Sequence, residues 1–259
     1  MVAHAAKMSG WEFRIYSRKA KSQLFGAQYL HQPIPGLNHG GPRMVTYEMR
    51  GSAEEYRNKV YGETWDGTVS PEDFPEPHAA WDLRQAYEGL WFDYADEVVD
   101  VDLAKCWPGG LDKRSFPVNT YDADLVISTV PRTIWDDDPS HFESTYVWAL
   151  GDGDYERVHM HRPAPFHVLC DGTKQNQWYR VSNIFGYCTM EWPYFWNAPY
   201  ATVTPPCRGA ARVSKPLRYT GADSTGFIHL GRFGAWEKGV LTSDVFYEAM
   251  KVFARDAIE

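Results

Sequence analysis

Apolar residues follow two spacings along this chain, and the switches between them outline its elements. Val2, Ala3, Ala5, Ala6 and Met8 suit one face of a helix, Gly10 suits the residue just past its end, and Trp11, Phe13 and Ile15 then alternate with Glu12 and Arg14. This predicts a helix, a glycine stop and a strand. The next stretch, "SRKAKSQLFGAQYLHQPIPGLNHGGPR", is rich in glycine and proline and reads as a loop of the kind that lines a site. Ser52 and Glu55 have capping-box spacing for a short helix that Gly62 ends. After "SPEDFPEP", Leu83, Tyr87, Leu90, Trp91 and Tyr94 share one face of a second helix. "EVVDVDL" is a short strand. "DADLVISTVP" holds the most continuous β-type run, Leu125 to Val130, and an unbroken apolar strand suits a parallel sheet covered on both faces.

From Ser144 the pattern shortens to "STYVWALG", "YERVHMH", "FHVLC" and "QWYRVSNIFGY", alternating or β-rich pieces separated by Gly, Asp and Pro, which predicts an antiparallel sheet. The end returns to α/β texture with "GFIHL", "GRFGAWEKG" and a helix from Thr242 or Ser243 whose inner face carries Val245, Phe246, Ala249, Met250 and Phe253. The expected fold class is α/β. A nucleotide-type domain (1–50, 97–135 and 215–259) carries a helical insertion (51–96) and is interrupted by an antiparallel substrate domain (136–214).

Composition narrows the class further. A hydrophobic share of 44% with 15% aromatic and 23% charged residues is that of a folded globular chain. No run of about 18 apolar residues and no apolar leader is present, so the chain is read as soluble and cytoplasmic. A net charge of −8 argues against general nucleic-acid binding, which relies on concentrated Lys and Arg. Cys106, Cys170, Cys188 and Cys207 form no CxxC pair and read as free thiols in a reducing compartment.

Three stretches together resemble the flavoprotein superfamily of the amine oxidases, protoporphyrinogen oxidase and UDP-galactopyranose mutase. "YDADLVISTVP" resembles the middle strand of their FAD domain with its closing proline. "HLGRFGAWEKGVLTSDVFYEAM" resembles their C-terminal flavin motif, closest to the mutase-like form. "WYRVSNIFGYCTMEWP" is similar to the mutase-like substrate strand that carries an Arg and a later Glu-aromatic-Pro. The resemblance implies a Rossmann-like FAD/NAD(P)-binding domain interleaved with the antiparallel one, and FAD as cofactor. Under it, Gly231, Gly234 and Gly239 let the backbone approach the cofactor, Arg232 pairs with a phosphate and Trp236 stacks on the ring or walls the pocket. The loop after the first predicted strand passes the flavin, which adds Gly26 to the cofactor residues and brings His31 within reach of flavin or substrate. Tyr179, Arg180 and Glu191 face the substrate. Without the resemblance, 231–239 is a tight turn with a packed Trp and a surface Arg, and both readings stay open.

The chain departs from the family twice. Members place a strand, a G-x-G-x-x-G turn and a helix where this chain begins inside the helix, a difference of about 20 to 25 residues. A start upstream of Met1, a strand supplied by another polypeptide, or loss of cofactor binding would each account for this. The first is the expectation. In addition, Ser17, Arg18 and Lys19 stand where the family ends its second strand with an acidic residue for the ribose, and they suit a 2′-phosphate, which makes NADP(H) the alternative cofactor.

His159 and His161 would point the same way from a strand, but no further ligand stands at supporting spacing, and "DDD" at 136–138 lacks calcium-loop spacing, so no metal is expected. No nucleophile-elbow pattern is present, whereas flavin chemistry needs few protein acids or bases. The expected function is therefore an FAD-dependent oxidoreductase or mutase-like flavoenzyme acting on a small polar or nucleotide-linked substrate. A non-catalytic binding or assembly protein on a degenerate flavoprotein scaffold, or an NADP(H)-binding protein, is the alternative. The expected partner is a small molecule, not a membrane, with a homo-oligomer or a partner covering the open sheet edge left open.

Overall fold

The computed structural model describes residues 1–17, 28–63, 65–67, 69, 76–101, 123–151, 161–194, 205–223 and 225–256. Helix α1 (Val2–Met8) buries His4, Ala5 and Ala6, and Gly10 leaves it at φ +78°, a left-handed conformation that glycine adopts without steric cost. Helix α2 (Ala53–Tyr61) starts at the expected capping box: Ser52 Oγ accepts from Glu55 N, and the Glu55 carboxylate accepts from Ser52 N. Gly62 ends it at φ +91°. Asp82 caps α3 (Leu83–Tyr94) by accepting from Arg84 N and Gln85 N, and α4 (Thr242–Asp256) closes the described chain.

The chain is a mixed α/β protein built on two kinds of pairing. Strands β1 (Ile15–Ser17) and β4 (Val98–Asp100) form one parallel pair, and β5 (Ile127–Ser128) and β11 (Ile228–His229) form another. Parallel pairs need cover, and helices supply it. Ala5 and Ala6 of α1, Leu83 and Ala86 of α3, and Phe246, Ala249 and Phe253 of α4 make one core with Leu30 and Ile34, against which Phe13, Ile127 and Leu230 pack.

The remaining strands are β2 (Arg43–Arg50), β3 (His78–Ala80), β6 (Phe142–Leu150), β7 (His167–Asp171), β8 (Arg180–Ile184), β9 (Tyr187–Pro193) and β10 (Ala210–Tyr219). They form a seven-stranded sheet in the order β10-β6-β9-β8-β7-β2-β3, antiparallel throughout except for the parallel β2–β7 pair. One face carries a core of Val45, Tyr56, Val147, Val168 and Tyr179 with α2 laid over it, and a second core of Leu150, Leu169, Trp178, Val181, Met190 and Trp192 packs separately.

Several expectations change in the structure. β2 lies within 1–50 and β3 within 51–96, yet both pair into the large sheet, and β10 runs unbroken across the 214/215 boundary because β6 pairs along it from Leu150 to Phe142. Sheet membership is set by non-local partners, which local spacing does not reveal. Among the described residues, the run Leu125–Val130 pairs only at Ile127 and Ser128. Met8 and Trp91, read as inward, are exposed, because Ala86 and Tyr94 turn the inner face of α3 away from Trp91. "YERVHMH" lies outside the described residues except for His161. Among the described residues no helix is long and apolar enough to cross a membrane.

Replacing Ser52 with Ala removes the reciprocal cap of α2 and is expected to lower stability by about 1 kcal/mol, read as a lower urea midpoint at unchanged slope. An unchanged midpoint would show that the helix is held by packing alone.

Candidate functional site

The pleat places one set of side chains on a common face of the large sheet. Cys170, Arg180, Glu191, Ala149 and Ala211 stand in register across β7, β8, β9, β6 and β10. Side chains in register share a face, so an arginine and a glutamate meet there directly. This face forms one wall of a cavity of about 1600 Å³. The parallel pairs wall it opposite, through Phe13–Ser17 and Ala123–Val130, and the segment Gly231–Phe233 with Lys238–Thr242 closes a third side.

Glu191 is the hub of the sheet wall and is 2% exposed. Its Oε1 accepts from Arg180 Nε at 2.6 Å and pairs with Nη2 of the same guanidinium. Its Oε2 accepts from Tyr179 Oη and lies 3.2 Å from Lys215 Nζ, which in turn donates to Tyr179 Oη at 2.6 Å. Burial alone would raise the carboxyl pKa, but Arg180, Lys215 and the hydrogen bonds bring it down to about 2. Lys215 goes the other way: burial, with Arg180 and Arg232 nearby, outweighs Glu191 and pushes its ammonium down to about 7. Tyr179 is fully buried, with the Tyr56 ring edge-on at 5.7 Å.

Tyr29, Tyr47 and His31 occupy a second part of the wall, with His78 packed against them. Tyr29 Oη and Tyr47 Oη are 2.7 Å apart, and His78 Nε2 is 3.1 Å from Tyr29 Oη. His31 stacks on His78 with centroids 5.2 Å apart and planes 7° from parallel. Burial, assisted by His78, pushes His31 down to about 4, so it is a neutral imidazole at pH 7. Burial likewise pushes the Cys170 thiol up to about 11, which leaves it a poor nucleophile.

The cavity brings together Ser17, His31, Arg180, Glu191, Gly231, Arg232 and Gly239 from the sequence reading. Tyr179 does not line the cavity but bonds to Glu191 and Lys215, which do. Gly234 and Trp236 do not line it. A Cβ at Gly234 would lie 2.7 Å from Ser128 O, so this glycine lets the turn press against β5. Trp236, at φ +56° at the end of a π-helical turn (Arg232–Trp236), is buried, donates from Nε1 to Glu143 O at 3.0 Å and packs on Phe142. Arg18 and Gly26 lie outside the described residues, as does His159. His161 sits 5.6 Å from the Trp178 ring, and Asp136 accepts from His141 and Tyr219, tying down the acidic loop.

Sequence reasoning missed Lys215, Tyr29, Tyr47, His78 and Cys170. For Lys215 a signal existed: it alternates with Val213 and Ala211 on the inward face of β10, where a charged residue needs a partner. The tyrosine–histidine group comes from β2, β3 and the loop before β2, and no local spacing links those.

The buried lysine makes a pH prediction. Lys215 titrates near 7 in the fold and at its ordinary 10.5 when unfolded, so between those values the unfolded chain binds the extra proton and rising pH favours the fold. Stability measured by urea should therefore rise from about pH 7 to about pH 9 in the native protein relative to Lys215→Met. Parallel pH profiles for the two would contradict the burial of this ammonium.

Comparison of the chain with protein-family models, with curated proteins and with solved structures gave no match.

Proposed function

We propose that the chain is an FAD-dependent oxidoreductase or mutase-like flavoenzyme that acts on a small polar or nucleotide-linked substrate. The observation that supports it most is the cavity itself, because parallel strand pairs, a glycine-rich turn and an ion-paired sheet wall all border one space. Small-molecule pockets are commonly about 300 to 1000 Å³. A space of about 1600 Å³ suits a dinucleotide together with a substrate.

The residues present fit such a group. Arg232 Nε is buried without a hydrogen-bond partner among the described residues, a donor suited to a phosphate oxygen. Burial holds the guanidinium pKa below its ordinary value, as expected for a cation that lacks its counter-charge. Gly231 and Gly239 stand at φ +78° and +89° on the cavity wall, and beyond the Gly239 Cα a side chain would meet only open space, so the backbone is accessible there. Arg232 and these two glycines would hold the cofactor, with Ser17 at the end of β1 near its ribose. A flavin supplies two-electron chemistry when bound, so the wall residues need only bind and orient the reactants.

The sheet wall then binds and orients the substrate. Arg180 is fixed by Glu191 and presents the rest of its guanidinium to the cavity. Tyr47 and neutral His31 offer hydrogen bonds without charge, and the apolar residues from Leu125 to Val130 keep the opposite wall dry.

Titrating FAD into the folded protein, followed by flavin fluorescence, should give saturable one-to-one binding. Arg232→Ala should bind about tenfold to hundredfold more weakly, and Arg232→Lys should not restore the loss, because an ammonium cannot reproduce the guanidinium fork. Absence of any fluorescence change would reject the FAD reading. Saturable binding of NADP(H) in its place would favour the nicotinamide alternative, which Ser17 supports, and binding of neither would favour a non-catalytic scaffold.

A further inference from the structure

The cations on the sheet wall outnumber the anions around them. Arg180 and Lys215 line the cavity, and both pair with the single carboxylate of Glu191. Both Glu191 oxygens are already engaged, Oε1 by Arg180 and Oε2 by Tyr179 and Lys215. Arg180 meets Glu191 through Nε and Nη2, and nearby Arg232 Nε is buried without a hydrogen-bond partner among the described residues. The side chains of Arg180 and Lys215 are 23% and 12% exposed, so water screens them poorly. Cations kept short of counter-charge in a low-dielectric wall destabilise the fold, and such an arrangement is retained where a ligand supplies the missing charge.

We propose that Arg180 and Lys215 form an oxyanion subsite for a dianionic group of the substrate, a phosphate or a pair of carboxylates. With Lys215 protonated, Arg180 and Lys215 exceed Glu191 by one positive charge, and Arg232 at the cofactor end adds to the field that a dianion meets. Glu191 sets the geometry, holding Arg180 and Lys215 on either side of its carboxylate, and both side chains line the cavity. Tyr179 just before β8, Arg180 on β8, Glu191 on β9 and Arg232 on the π-helical turn are the charged and titratable groups that face Lys215. Its lowered pKa is the consequence of that crowding, and a bound dianion would raise it again. The subsite deepens the proposed function by naming the substrate's chemistry, and it rests on that reading only in calling the dianion part of a substrate.

The test contains no flavin. Sulfate and malonate are titrated calorimetrically into the full chain at constant ionic strength, as a tetrahedral dianion and a dicarboxylate. At least one should bind saturably, with Lys215→Met weakening it at least about tenfold. Affinity should fall as pH rises above about 7 in the native protein and stay level in Lys215→Arg, which keeps its charge and should keep binding even if Lys215→Met fails to fold. Preference for sulfate assigns the phosphate form, and preference for malonate the dicarboxylate form. No saturable binding of either, or equal affinity in native protein and Lys215→Met, overturns the subsite. Displacement of the bound anion by FAD would also overturn it as a substrate subsite, since the corner would then belong to a cofactor phosphate. FAD binding that persists without anion binding leaves the cofactor reading standing, and anion binding without FAD binding leaves the subsite standing.

Discussion

A buried carboxylate holds the candidate site together. Glu191 sits in the middle of a seven-stranded sheet and ties residues from three places on it, Arg180 directly across on β8, Lys215 two strands away on β10, and Tyr179 just before β8. Remove its charge and two cations with little access to water lose their counter-ion. Breaking a buried pair in this way typically costs about 3 to 5 kcal/mol, far more than the pair contributes when whole. The same carboxylate that makes the wall tolerable to the fold also leaves it electropositive, because one negative charge is shared among more than one cation. Stability and the charge of the wall therefore depend on one group.

The cavity exists because two pairing systems meet without merging. The parallel pairs are short and depend on α1, α3 and α4 for cover, whereas the large sheet is broad and carries its own cores on both faces. Two tethers join them at the wall. Gly234 lies against the Ser128 carbonyl of β5, and Trp236 bonds to Glu143 O on β6, so the turn that carries Gly231 and Arg232 is fixed to both systems at once. Arg232 is thereby brought to the same electrostatic neighbourhood as Arg180 and Glu191, although its neighbours in sequence belong to the parallel half.

Legibility in the sequence followed the range of the interactions. The capping box at Ser52 and Glu55, the glycine stops at Gly10 and Gly62 and the amphipathic face of α4 all depend on neighbours within a few residues, and all were readable. The placement of β2 and β3 in the large sheet was not, because their pairing partners lie far off in the chain or on the other side of a loop. The site divides along the same line. Arg180 and Glu191 belong to one hairpin and could be named from one stretch. Lys215 enters from β10 and Tyr47 from β2, so only the assembled sheet brings them to the same wall. Trp236 follows the alternative reading of its stretch, a turn with a packed Trp, and its indole serves the junction rather than the cavity wall.

The central claim is that a cofactor and a substrate share this one space, and a crystal structure of the protein grown with FAD tests it most directly. The account predicts continuous ligand density that starts at Gly231 and Arg232, runs along the wall formed by β5, and leaves room beside Arg180 and Lys215. Density seated elsewhere on the molecule, or lying across Arg180 and Lys215 so that no second ligand fits, would contradict it.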